Sequence, residues 1–232
     1  MSDGQRTTAG LGSGEAVGTG RLVAWLVLVG VMAAFAYIGR ATGGDPPDDV
    51  LYQYDTAVGS AILYGLIFSI VLLMCRGASA QDLLALRRPN SWKRAGLISL
   101  AIFGIMLVLG AVLEPFLDAG EEQGLTPDDW DSGRAGAFAA NAVVVAGIAP
   151  VVEELTYRGL GFSVLARFGS TAAIVVTAVI FGLGHGLVVA LPILVAFGLG
   201  LGYLRSRTGS IYPSIGLHAL FNALSLALAL TV

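Results

Sequence analysis

Apolar residues in this chain fall into long blocks, with neither the alternation of a half-buried strand nor the three-to-four spacing of an amphipathic helix. Seven blocks stand out, at 22–38, 57–74, 95–113, 135–152, 171–189, 190–204 and 211–230. A hydrocarbon layer about 30 Å thick takes about 20 residues of helix rising ~1.5 Å each, so most of the blocks are long enough to cross one. The pattern predicts an all-α polytopic transmembrane helix bundle of about seven spans. The block from 190 is the weakest of them, being short and interrupted by Pro192. Residues 159–168 read either as an extension of the fourth helix or as an interfacial piece. No internal repeat of the transporter kind is visible.

Composition agrees with this reading. Hydrophobic residues make up 56% of the chain and charged residues 12%, with a mean hydropathy of +0.80. Soluble domains carry about 25% charged residues, so half that amount leaves too little to cover a water-facing surface. There is no heptad pattern, no Gly-X-Y period and no basic stretch resembling a nucleic-acid footprint, so no nucleic-acid partner is expected. The single cysteine, Cys75, excludes an internal disulfide and reads as a membrane-helix thiol.

Residues 1–20 are polar and Gly/Thr-rich and read as a disordered cytoplasmic tail, leaving 21–232 as the bundle. Ala34-Phe35-Ala36 has the form of a signal-peptidase site. The tail before it is long, acidic at Asp3 and Glu15 and poor in bases, so the first block is read as a permanent helix. Loop charge sets the orientation. Arg76, Arg87, Arg88, Lys93 and Arg94 face one acid, Asp82, between the second and third blocks. Residues 41–55 carry Asp45, Asp48, Asp49 and Asp55 and no base, and 114–134 are acidic apart from Arg134. Positive residues stay cytoplasmic, which predicts a multi-pass protein of the cell membrane with the amino terminus inside and the carboxyl terminus outside. Trp25 and Trp92 are expected to anchor at the interfaces.

After Arg134 the chain holds only two carboxylates, Glu153 and Glu154, and both of its histidines, His185 and His218. An ionisable group in hydrocarbon costs several kcal/mol, so such groups pair or line a polar cavity. Glu154 and Arg158 are four apart, which suits a charge pair, while Glu153 points about 100° away and is free to face a cavity. His218 and Asn222 share a face in the same way, as do Phe181 and His185. Gly182, Gly184 and Gly186 around His185 permit a close approach of another backbone, and Gly198-xxx-Gly202 reads as close helix packing. Each of these features alone has a structural explanation, such as a helix-end salt bridge or an interhelical hydrogen bond. Together they assemble a carboxylate pair, two histidines and an asparagine from three helices.

The order Glu153-Glu154-xxx-Arg158, Phe181-xxx-His185, His218-xxx-Asn222 resembles that of the CAAX-protease and bacteriocin-processing intramembrane proteases. The likeness runs over about 140–223 and includes Arg158-Gly159 and the stretch from Tyr203 to Ser210. It implies a catalytic core at about 137–230, with Glu153, Glu154, Arg158, His185, His218 and Asn222 as site residues. The implied activity is cleavage of a membrane-associated, in some members prenylated, protein or peptide. Two mechanisms fit these residues. In the favoured one no cofactor is needed: Glu153 takes a proton from the attacking water, His185 orients that water, and His218 and Asn222 donate to the oxyanion. In the other, His185, His218 and Glu153 hold zinc with an open water position, although the HExxH helix of soluble zinc proteases is absent.

Two rivals remain at this level: a non-catalytic immunity or scaffold protein of the same fold, and a small proton-coupled transporter. Membrane lipid is expected as a partner, while substrate identity, its prenylation, metal dependence and oligomeric state are not legible. If Arg158 marks the cytoplasmic end of its helix, the site lies near that side. Glu153 should then be shallow and His185 deep, which is a conflict of depth.

Overall fold

The computed structural model describes residues 11–43, 47, 49–117, 122 and 130–229, with the side chains of 11–17, 114 and 229 left aside. Among the described residues every regular element is helical. The principal helices are α1 (Leu11–Gly43), α2 (Tyr54–Met74), α3 (Trp92–Leu117), α4 (Ser132–Phe168), α5 (Ser170–Gly184), α6 (Leu191–Thr208) and α7 (Tyr212–Ala229). Four stretches, Gly18–Gly43, α2, α3 and α4, are long and apolar enough to cross a membrane. The shorter α5 is apolar too.

Several boundaries differ from the sequence reading. Helix α1 starts at Leu11, so 11–20 are helical rather than part of a disordered tail; once a helix is nucleated, each added residue gains a hydrogen bond. Residues 1–10 of that expected tail lie outside the described residues. The block at 171–189 is helical only to Gly184, because Gly186 takes φ +68°, the left-handed conformation that closes helices at low cost. Pro192 does not weaken α6, since it occupies the first turn, where no backbone donor is lost. The stretch 159–168 is the continuation of α4, through the π-helical turns Val144–Ile148 and Leu155–Gly161. Arg158 is therefore inside a 37-residue helix and fully buried, not at its end. Glu153 accordingly sits near the middle of α4, rather than close to one side as its distance from Arg158 had suggested.

Trp25 also corrects the sequence reading. It is fully buried rather than interfacial, and its indole N–H donates to the Thr156 carbonyl in the π-helical turn at 2.9 Å. Trp92 is exposed. The predicted close packing at Gly198 is present: a Cβ there would stand 2.9 Å from the Ala178 Cα on α5. This brings α5 and α6 together with their backbones nearly touching. The basic segment after α2 folds back on the bundle, with the Ile211 amide donating to the Ala85 carbonyl and the Arg87 guanidinium to the Gly209 carbonyl.

At the opposite end, the acidic connections are tied down by ion pairs. Arg134 contacts Asp49 and Asp131, each at 2.6 Å, and its hydrogen bonds hold both carboxyls below the usual carboxylate range. Glu122 contacts Arg40 at 3.1 Å and accepts the amides of Val188 and Ala190 at 2.9 and 2.8 Å. It thereby fastens the end of α1 to the turn that follows His185. Burial raises the Glu122 carboxyl, but the amides of Ala190 and Val188, with Arg40, outweigh it and bring the group below its ordinary 4.5. A depressed carboxyl stabilises the fold fully above its unfolded-state value and ceases to do so as pH falls through the folded one. The difference in Tm between wild type and Glu122→Gln is therefore expected to be full at neutral pH and to close below the carboxylate range. A gap that persists unchanged to the acid end would remove the ion-pair explanation.

Candidate active site

Helix α4 supplies the carboxylates. Glu154 accepts from Arg158 Nη1 at 2.8 Å, and neither side chain is exposed. Arg158 Nη2 donates to the Gly198 carbonyl at 3.0 Å, which places the guanidinium beside the tight α5–α6 seam. The four-residue spacing predicted this pair. The spacing did not reveal that Glu154 Oε1 also faces His218 Nδ1 at 3.2 Å. Glu154 thus belongs both to the buried pair and to the histidine.

Glu153 turns to the other side, as the helical geometry required. Its Oε1 accepts the Tyr64 hydroxyl at 2.7 Å, and its Oε2 lies 3.7 Å from His218 Nε2. The His218 ring accordingly stands between the two glutamates, Nδ1 towards Glu154 and Nε2 towards Glu153. Phe181 and Phe197 meet that ring edge-on, with centroids 5.6 and 5.4 Å away.

His185 follows the last residue of α5, and its Nδ1 lies 2.8 Å from the Phe181 carbonyl. A carbonyl only accepts, so Nδ1 carries the proton and Nε2 of the neutral ring is left as an acceptor. The early end of α5 and the interior position of Glu153 on α4 remove the conflict of depth. Asn222 uses one amide hydrogen on the Val145 carbonyl at 2.8 Å, in the first π-helical turn of α4. Its second amide hydrogen remains for another acceptor.

Glu153, His185, His218 and Asn222 all line one cavity of about 250 Å³. At about 30 Å³ per water, that space accommodates several waters or a peptide group. Glu154 and Arg158 are not on its wall; they stand behind His218. A second, apolar cleft of about 530 Å³ opens between α1 and α2, and it shares Tyr64, Glu153 and His185 with the first cavity.

Among the described residues no three His, Cys, Asp or Glu side chains are disposed to hold a metal ion. Sequence reasoning missed Tyr64 and Phe197. The signal available for Tyr64 was a phenol within an apolar block, which needs a partner when buried.

Neither the curated proteins nor the solved structures yield a match to this chain. Residues 135–224, which carry all six predicted site residues, match the family model described as type II CAAX prenyl endopeptidase Rce1-like. The three motifs thus fall in a segment that is similar to that family, in a chain whose several long apolar helices mark a multi-pass membrane protein.

Proposed function

We propose that the protein is an intramembrane endopeptidase that hydrolyses a peptide bond of a membrane-associated protein or peptide, in the manner of CAAX processing, by glutamate-activated water. The observation that carries this reading is the convergence of Glu153, His185, His218 and Asn222 on one cavity. Glu153 acts as general base, taking a proton from water that attacks the peptide carbonyl. His185 Nε2 accepts the other hydrogen of that water and fixes its direction. His218, held by Glu154 at Nδ1, donates from Nε2 to the developing oxyanion, and Asn222 supplies a second donor. A donor of this type contributes about 3 kcal/mol to transition-state stabilisation. The proton held by Glu153 then passes to the leaving amine.

Residues 137–230 form the peptidase core on this reading, and the preceding helices its scaffold. Seven membrane crossings are the reading of the seven apolar blocks, four of them helices long and apolar enough to cross alone, and the charge pattern puts the amino terminus in the cytoplasm. Single cysteines at the exposed positions Arg88 and Ser132 are expected to react with an impermeant maleimide from opposite faces of sealed vesicles. Reaction of both from one face would overturn the orientation.

The activity is tested on purified protein with a library of internally quenched peptides, farnesylated and unlipidated, comparing wild type with Glu153→Gln. Cleavage by wild type alone supports the reading. No cleavage of any member would leave a non-catalytic membrane protein, and equal cleavage by both proteins would overturn the glutamate-activated mechanism. Cleavage confined to farnesylated peptides would assign a lipidated substrate.

A further inference from the structure

Tyr64 comes from α2, outside the segment that matches the family model, yet it makes the shortest contact to Glu153, 2.7 Å from its hydroxyl to Oε1. The groups facing Glu153 are Tyr64 from α2, His218 from α7, and His185, which lines the same cavity. A glutamate has three rotatable bonds and, in an apolar surrounding, turns towards whatever polar partner it finds. Of the two that contact it, Tyr64 and His218, the histidine is the more distant, at 3.7 Å, so the phenol is the contact that fixes the carboxylate. Its position matters as much as its distance. Tyr64 lies where the polar cavity meets the apolar cleft between α1 and α2, and it lines both. A carboxylate released there has a second space to enter, away from His218 and Asn222.

We propose that the Tyr64 hydroxyl is a positioning group for the reaction, holding the Glu153 carboxylate turned into the polar cavity, where it meets His185, His218 and Asn222. The contact leaves Glu153 competent as a base, because a carboxylate has about four lone-pair sites and the phenol occupies one. The ring of Tyr64 stands between the cavity and the apolar cleft, and the hydroxyl alone aims the base. The inference rests on the peptidase reading above.

The test separates aim from packing. Tyr64→Phe keeps the ring and removes only the hydroxyl. It is expected to lower kcat about tenfold or more, the loss that follows removal of a hydrogen bond to a charged group, with KM and Tm close to wild type. In a Glu153→Gln background the same substitution is expected to add no further loss, because the group through which it acts is already gone. Wild-type kcat in Tyr64→Phe, or a loss that adds in full to that of Glu153→Gln, would overturn the role. A fall in Tm with kcat unchanged would make Tyr64 a structural partner only. Failure of the peptidase reading has a different signature: no cleavage by wild type, or undiminished cleavage by Glu153→Gln, which removes both proposals together.

Discussion

Glu153→Gln is expected to lower turnover by about 10²–10⁴-fold, the contribution typical of a general base, while the protein folds and purifies as wild type does. The amide has nearly the size of the carboxylate, and its carbonyl still accepts the Tyr64 hydroxyl that now reaches Oε1. It cannot take a proton from water, so the loss falls on the chemical step. Burying a neutral amide also costs less than burying a carboxylate, and Glu153 is the one of the two glutamates that makes no close charge pair, its nearest cationic candidate being His218 Nε2 at 3.7 Å. Thermal stability should therefore hold. The measurement is kcat together with Tm in the same detergent. Activity within tenfold of wild type would take the base assignment away from Glu153, and a large fall in Tm would make the residue structural.

The parts of the site that lie on one helix are legible in the sequence itself. The Glu154–Arg158 pair, the opposite aim of Glu153, and the shared faces of Phe181 with His185 and His218 with Asn222 all follow from 3.6 residues per turn, which acts over a few residues and leaves a pattern in the sequence. Contacts between helices leave no such pattern. Tyr64 and Glu153 are 89 residues apart, and a single tyrosine in an apolar block does not say which helix will face it. The end of α5 is obscure for a related reason. The glycines around His185 are visible, but in a chain with 32 glycines nothing marks Gly186 as the one at φ +68°. Trp25 misleads because tryptophan at a block end favours the interface in general. Here the Thr156 carbonyl gives its N–H a buried partner instead. The apparent gap in depth between Glu153 and His185 comes from taking Arg158 as the end of a helix. A charged residue in an apolar chain usually marks an end, except where a carboxylate one turn away neutralises it in the interior.

Glu154→Gln is expected to injure the protein in a different way from Glu153→Gln. Arg158 and Glu154 are both fully buried, and removing one member of a buried pair leaves an uncompensated charge, at a cost of about 3–5 kcal/mol. Reduced yield and a lower Tm are the expected signs. The rate should fall too, because Glu154 Oε1 is also the acceptor facing His218 Nδ1 at 3.2 Å and orients that ring. The two effects can be divided by removing both charges. In Glu154→Leu/Arg158→Met no unpaired ion remains, and apolar replacements of similar volume are often neutral or stabilising at buried pairs. Tm is then expected to return towards the wild-type value, above that of Glu154→Gln. Turnover should stay low, since His218 has lost the partner on Nδ1 that keeps Nε2 aimed at the cavity. If the double variant recovers stability and rate together, Glu154 serves only as the counter-ion of Arg158. If it stays as unstable as Glu154→Gln, the Arg158 contact to the Gly198 carbonyl, rather than charge balance, holds α4 to α6.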